Sequence, residues 1–183
     1  MVVSPEQVGM ALDVLEDGTT FLENALKKAR AWNKATGLAA LADDSGLEVE
    51  ALGGMPGVHS ARYAGPDADD GKNFRKLLAE LQDVPATRRG AAFRCAMALV
   101  ASDGREWTSE GTLGGRIIFS PRGREGFGYD PVFELAQSGL TLAETPMAAK
   151  NALSHRGQAL SAMLPRILEL ALLEPDERQE YNP

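Results

Sequence analysis

Ala42-Asp43-Asp44-Ser45-Gly46-Leu47 sets two adjacent carboxylates after a short apolar run, Leu38 to Ala42, and just before a glycine. That composition is expected where a strand ends. Beyond it, Leu47 to Leu52 alternates apolar residues with Glu48 and Glu50, the pattern of a half-exposed strand. The pair is therefore predicted to sit between two strands, 38–42 and 47–52. In open α/β sheets functional groups gather at the carboxyl ends of strands, and carboxylates there can hold a hard divalent cation and orient a water. Asp-Asp-Ser-Gly also favours a plain polar turn, and taken alone the stretch supports either reading.

Working outward, Thr20-Phe21-Leu22-Glu23 has the capping-box pattern, and Phe21, Leu22, Ala25, Leu26 and Ala29 recur at helical spacing. Gly37 suits a C-terminal stop, so a helix is predicted over 20–36. Gly53-Gly54-Met55-Pro56-Gly57 reads as loop. Phe74, Leu77, Leu78 and Leu81 predict a helix near 70–82, and Asp103-Gly104 predicts a hairpin joining strands at 93–100 and 106–119. A short strand is expected at 131–135. Leu160, Met163, Leu164, Ile167, Leu168 and Ala171 define a last helix that Pro165 is expected to kink or interrupt. A polar tail over 174–183 follows a single domain spanning 1–173.

The chain has 183 residues, 44% of them hydrophobic, enough for one sizeable core. Its formal charge of −7 argues against a nucleic-acid groove, which needs clustered Lys and Arg. An anionic substrate would then need local help from a metal ion or a few placed cations. Cys95 is the only cysteine, which excludes an intramolecular disulfide, and two histidines, His59 and His155, exclude a multi-histidine metal site. No run approaches the roughly 18 apolar residues that span a bilayer, and the start lacks a signal-peptide layout. The expectation is a cytoplasmic protein without a membrane partner.

Four further segments join charge to backbone punctuation. Glu16-Asp17-Gly18 leads through the Thr20 cap to Lys27 and Lys28; the plain alternative is a loop with a surface pair between Glu23 and Lys27. In Phe127-Gly128-Tyr129-Asp130-Pro131, glycine permits close backbone approach and the aromatic rings suit stacking on a planar group, although Tyr-Asp-Pro also makes an ordinary turn. Lys150 is a lone cation of the kind usually solvated. In Ser154-His155-Arg156-Gly157, Ser154 is placed to cap the last helix, leaving Arg156 in its first turn, where a cation opposes the helix dipole. Such a cation is better explained by an anion or by the carbonyl oxygens of a nucleobase.

In order and content, Ala42 to Leu47, Gly53 to Gly57 with Ser60-Ala61-Arg62-Tyr63, Phe127 to Pro131 and Ser154 to Gly157 resemble the inosine/xanthosine triphosphate pyrophosphatases. The resemblance covers about residues 13 to 170, and long motifs in a fixed order are specific. It implies an α/β fold, an elongated mixed sheet with flanking helices around a long central cleft, and a homodimer. It also implies Mg²⁺-dependent hydrolysis of non-standard purine nucleoside triphosphates (dITP, ITP, XTP) to the monophosphate plus pyrophosphate. By the same resemblance Asp44 is the general base and a metal ligand, Glu16 the second metal carboxylate, Asp43 their support and Lys28 a phosphate contact. Ser45 contacts substrate; Phe127, Gly128, Tyr129 and Asp130 wall the nucleotide pocket; Lys150, His155 and Arg156 read the base.

The family pattern also places a strand and a Thr/Ser-x-Asn-x-x-Lys phosphate loop ahead of the segment that Met1 to Pro5 resembles, about 25 residues in a strand-loop-helix unit. From this comes a second reading, a catalytically weak purine-nucleotide-binding protein without that loop. A third is a related pyrophosphatase acting on modified pyrimidines, against which Ser154-His155-Arg156-Gly157 argues.

Overall fold

Residues 2–173 are described in a computed structural model of the chain. The tail expected at 174–183 lies outside the described residues. Helix α1 (Phe21–Thr36) starts as expected: Thr20 Oγ1 accepts from the Glu23 amide at 3.1 Å, and Gly37 closes it with φ 70°. The reciprocal bond differs. Glu23 accepts from the Thr19 amide at 2.7 Å, and Lys27 pairs with Asp17 instead of Glu23.

Four strands follow in chain order across one antiparallel sheet: β1 (Ala40–Val49), β2 (Gly90–Val100), β3 (Glu106–Ile117) and β4 (Phe133–Glu134). The hairpin between β2 and β3 is where Asp103-Gly104 predicts it. The expected strand at 131–135 is reduced to two residues.

The predicted break at the carboxylate pair is absent. Strand β1 runs unbroken, and Asp43, Asp44, Ser45 and Gly46 pair with Met97, Ala96, Cys95 and Arg94 of β2. Turn-forming residues stay extended because β2 satisfies their backbone and because the glycine is needed for space. A Cβ on Gly46 would lie 2.5 Å from Gly57 O and Ser60 Oγ and 2.9 Å from Phe21. The second expected strand is therefore the second half of the first, and Glu50–Leu52 is a 3₁₀ turn.

Strand alternation sends the two carboxylates to opposite faces. On one face α1 covers Ala42, Ala98 and Val100 with Ala25, Leu26 and Ala29. On the other, α4 (His155–Leu173) covers Cys95, Met97, Leu99 and Trp107 with Ala159, Met163 and Ile167. That second face continues into the main core, where Leu47, Val49, Phe93 and Ile117 meet Leu77 and Leu81 near α2 (Asp70–Glu80), and Tyr129, Val132 and Phe133. Helix α2 ends on a buried Arg89, whose guanidinium donates to the Leu81, Val84 and Ile118 carbonyls.

Helix α4 is not interrupted at Pro165, one of the two expected outcomes; it continues as one helix through that residue. Packing of Ala159, Met163 and Leu170 on either side of the proline holds both halves against the sheet. A short helix that the sequence reading did not anticipate, α3 (Met147–Leu153), carries Lys150.

Candidate functional site

On the α1 face, Lys28 stands between two carboxylates. Its Nζ lies 2.9 Å from Glu16 Oε2 and 3.3 Å from Asp44 Oδ1. Asn24, one turn earlier, donates from Nδ2 to Asp44 Oδ2 at 3.1 Å, and its Oδ1 accepts from the Gly18 amide at 2.8 Å. This side chain is 1% exposed, so one buried amide ties the Glu16 loop to the Asp44 strand. A Cβ on Gly18 would fall 2.5 Å from Asn24 Oδ1, which explains the glycine in that loop. Burial pushes the Asp44 carboxyl above its ordinary value and the Glu16 charge adds to this, while Lys28 and Asn24 oppose the shift.

The α4 face holds the other half. Arg156 Nε donates to Asp43 Oδ2 at 2.9 Å, and Ser45 Oγ donates to the same oxygen at 3.0 Å. Burial alone would raise the Asp43 carboxyl; the bond and charge of Arg156 more than reverse it, leaving it lowered. Cys95 lies beside it, its thiol pushed up to about 11 by burial and then by the Asp43 charge, so it stays protonated and inert. His155 stacks on Phe93 with ring centroids 5.1 Å apart. Its Nδ1 is buried without a hydrogen-bond partner, and burial followed by the Arg156 charge lowers its pKa to about 4. The ring is therefore neutral at pH 7.

Close approach fixes the start of α4 over β3. Ser154 Oγ accepts from the Gly157 amide at 2.9 Å, the cap that the sequence predicts. Ser109 Oγ donates to Ala159 O at 2.8 Å, and a Cβ on Gly111 would come within 2.8 Å of the Ala159 nitrogen.

The aromatic loop is the third part. Asp130 is buried, ion-paired to Lys150, and accepts from the Phe127 amide at 3.0 Å. Lys150 Nζ lies 4.9 Å from the Phe127 ring centroid, and Phe127 itself is 62% exposed, an open aromatic face. Gly128 N donates to Asp70 Oδ2 at 2.6 Å, which pins the loop to α2. Tyr129 sits in the core, its hydroxyl donating to Ser60 O at 2.9 Å. Lys150 reaches the α4 group electrostatically, since its charge contributes to the lowered His155 pKa.

Sequence reasoning missed two participants. Asn24 is one; the available signal was a polar residue on the inward side of an amphipathic helix, one turn before Lys28. The other is Arg62, whose Nη2 donates to Glu16 O at 3.3 Å and which lines a concavity of about 380 Å³ with His59, Tyr63 and Lys76. Among the described residues no three His, Cys, Asp or Glu side chains gather as a cation cage. Two carboxylates already converging on one ammonium do suit Mg²⁺, which takes one or two carboxylates and completes its shell with water and substrate phosphates.

Comparison with known proteins identifies the family. The model of the Ham1 family matches residues 1–166. The dITP/XTP pyrophosphatase of Geobacter sulfurreducens is 57% identical over 151 residues, covering 82% of this chain and 76% of the relative. That of Yersinia pseudotuberculosis is 50% identical over 165 residues, covering 89% and 83%. The Ham1 protein of Staphylococcus aureus superposes with a TM-score of 0.83 at 41% identity, covering 90% of this chain and 84% of that one. A dITP/XTP pyrophosphatase from Mycobacterium abscessus gives 0.75 at 51% identity, covering 86% and 81%.

Proposed function

The chain belongs to the Ham1 family, and from that premise we propose that it removes non-standard purine nucleotides by hydrolysing dITP and XTP to the monophosphate and pyrophosphate. It is a hydrolase of nucleoside triphosphates. The observation that carries the residue assignment is the convergence of Asp44, Glu16, Lys28 and Asn24 in one hydrogen-bonded group.

Asp44 and Glu16 are the residues that would hold Mg²⁺. When bound, the ion supplies charge neutralisation on the pyrophosphate and polarises the α phosphate. Asp44 accepts the proton of the attacking water as its oxygen bonds to the α phosphorus and the anhydride bond to the β phosphate breaks. Lys28 meets the charge of the phosphates.

The base lies on the other side of the strand, with Phe127 as stacking surface beside the Asp130–Lys150 pair and Gly128 next to it in the loop. Hypoxanthine and xanthine carry a 6-oxo group where adenine has an amine. Donors on His155, Arg156 and Lys150 pair with the first and are left unpaired by the second, at about 1–3 kcal/mol for each buried donor. Ser45 completes the wall; Tyr129, expected there too, is instead buried in the core and supports the loop from beneath through its bond to Ser60 O. In this reading residues 1–173 act as a single domain of a cytoplasmic homodimer. Leu160, Leu164 and Leu168, exposed at four-residue spacing on α4, are apolar surface for the second copy.

Pyrophosphate release from dITP, XTP and dATP, with Mg²⁺ and with EDTA, tests reaction, metal and preference together. Pyrophosphate from dITP and XTP, stopped by EDTA, is expected. Orthophosphate as the first product would refute the cleavage position.

A further inference from the structure

We propose that Asp43 is a positioning residue for base selection, acting through Arg156, and is not a carboxylate of the metal and phosphate site. The inference rests on the reading of Arg156 as a base contact. Asp43 and Asp44 are neighbours in sequence, yet within β1 their side chains leave on opposite faces. Among the described residues the hydrogen-bond partners of the Asp43 side chain lie on the α4 side, Arg156 Nε at 2.9 Å, Ser45 Oγ at 3.0 Å and Cys95 Sγ at 3.8 Å, while Lys28 acts on it only through its charge. Asn24 and Lys28 donate to Asp44, and Lys28 also donates to Glu16, so this group forms around Asp44.

The geometry at Arg156 gives this pairing a purpose. Asp43 engages Nε, the inner nitrogen of the guanidinium, so the planar group is oriented while its two outer nitrogens keep their protons for another acceptor. An arginine in the first turn of a helix gains nothing from the helix dipole, so without a partner its side chain would sample many rotamers. Asp43 removes that freedom. Asp43 itself is fixed by Ser45 and by the β1–β2 ladder, a rigid support for a selective donor. The adjacent carboxylates thus divide between the two ends of the substrate, one serving phosphate chemistry and the other base choice.

A double-mutant cycle on the full chain tests this, with kcat/KM for dITP and dATP as one readout and Mn²⁺ affinity by electron paramagnetic resonance, without nucleotide, as the other. Asp43→Asn keeps an acceptor and loses the charge, and is expected to lower the dITP to dATP ratio by about tenfold, the scale of a charge-assisted bond weakened to a neutral one. Arg156→Ala should lower it at least as far. The double variant should fall no further than Arg156→Ala, and Mn²⁺ affinity should match the parent in all three. Equal losses for both nucleotides with weakened Mn²⁺ binding would make Asp43 a metal carboxylate and overturn the proposal. Additive losses in the double variant would overturn it too, by showing that Asp43 acts independently of Arg156. If Arg156→Ala leaves the ratio intact, the base-contact reading itself fails; if only Asp43→Asn does, the positioning role fails alone. Should Asp43→Asn unfold the chain, the shorter Asp43→Ser is read in the same cycle.

Discussion

The two faces of β1 carry the same residue type at successive positions in opposite electrostatic settings. Asp44, facing α1, sits under burial and a neighbouring Glu16 charge that together raise its carboxyl; Asp43, facing α4, is held down by a guanidinium. In the proposed mechanism the first is the base that accepts a proton, and in the proposed division of roles the second is a charge that orients Arg156. A pair of carboxylates in sequence is thus not a pair in space when the backbone is extended, because a strand places residue i+1 on the far side of the sheet.

The largest expected break in that comparison comes from Asp44→Asn. The amide keeps shape but loses the charge that binds Mg²⁺ and takes a proton, so turnover should fall by about a thousandfold with little change in melting temperature. Steady-state rates at saturating Mg²⁺ decide it, and retention of most activity would return the carboxylate to a purely structural role. Asp43→Asn should cost less.

Asn24→Ala comes next. It strips a donor from Asp44 and leaves the partly buried Gly18 amide without its partner. One unsatisfied buried group costs about 1–3 kcal/mol. For a chain of this size that is a fall of roughly 5 °C in melting temperature. Mn²⁺ affinity should weaken as well, because the Glu16 loop is no longer tied to the strand. A stability loss with unchanged Mn²⁺ affinity would mark Asn24 as a core residue only.

A smaller effect separates the faces by pH. His155, on the α4 side, has a folded pKa of about 4 against an ordinary 6.5, so the fold prefers the neutral ring. Its contribution is fully present above pH 6.5 and is lost as pH falls through 6.5 toward 4, the unfolded chain binding the proton first. His155→Phe keeps a ring to stack on Phe93 without titrating. Its melting temperature should therefore drop less than the parent's between pH 7 and pH 5, and parallel curves would contradict the buried neutral ring.

Ser45→Ala should do least. It removes one neutral donor from Asp43, worth roughly 1 kcal/mol. A decrease confined to the dITP to dATP ratio, with the Mg²⁺ dependence of turnover unmoved, would keep Ser45 on the base side. A changed Mg²⁺ dependence would move it to the other face.

Local chemistry was legible wherever a residue's role depends on its near neighbours. Thr20 and Gly37 delimit α1, Asp103-Gly104 turns the hairpin, and Ser154 caps α4, each because the interaction closes within a few residues. Motif order alone also pointed to the family and brought Glu16, Lys28 and Asp44 forward as one group. The sequence reading went astray at Asp43 to Gly46, and of its two outcomes for Pro165 the interruption does not occur. There, turn and helix-breaking propensities of a few tenths to a few kcal/mol are overridden by the β2 ladder and by α4 packing on the sheet. Asn24 and the Asp43–Arg156 pair could not be read from spacing. Their partners lie 20 and 113 positions away, and only the stacking of α1 and α4 on opposite faces of one sheet decides which carboxylate each of them meets.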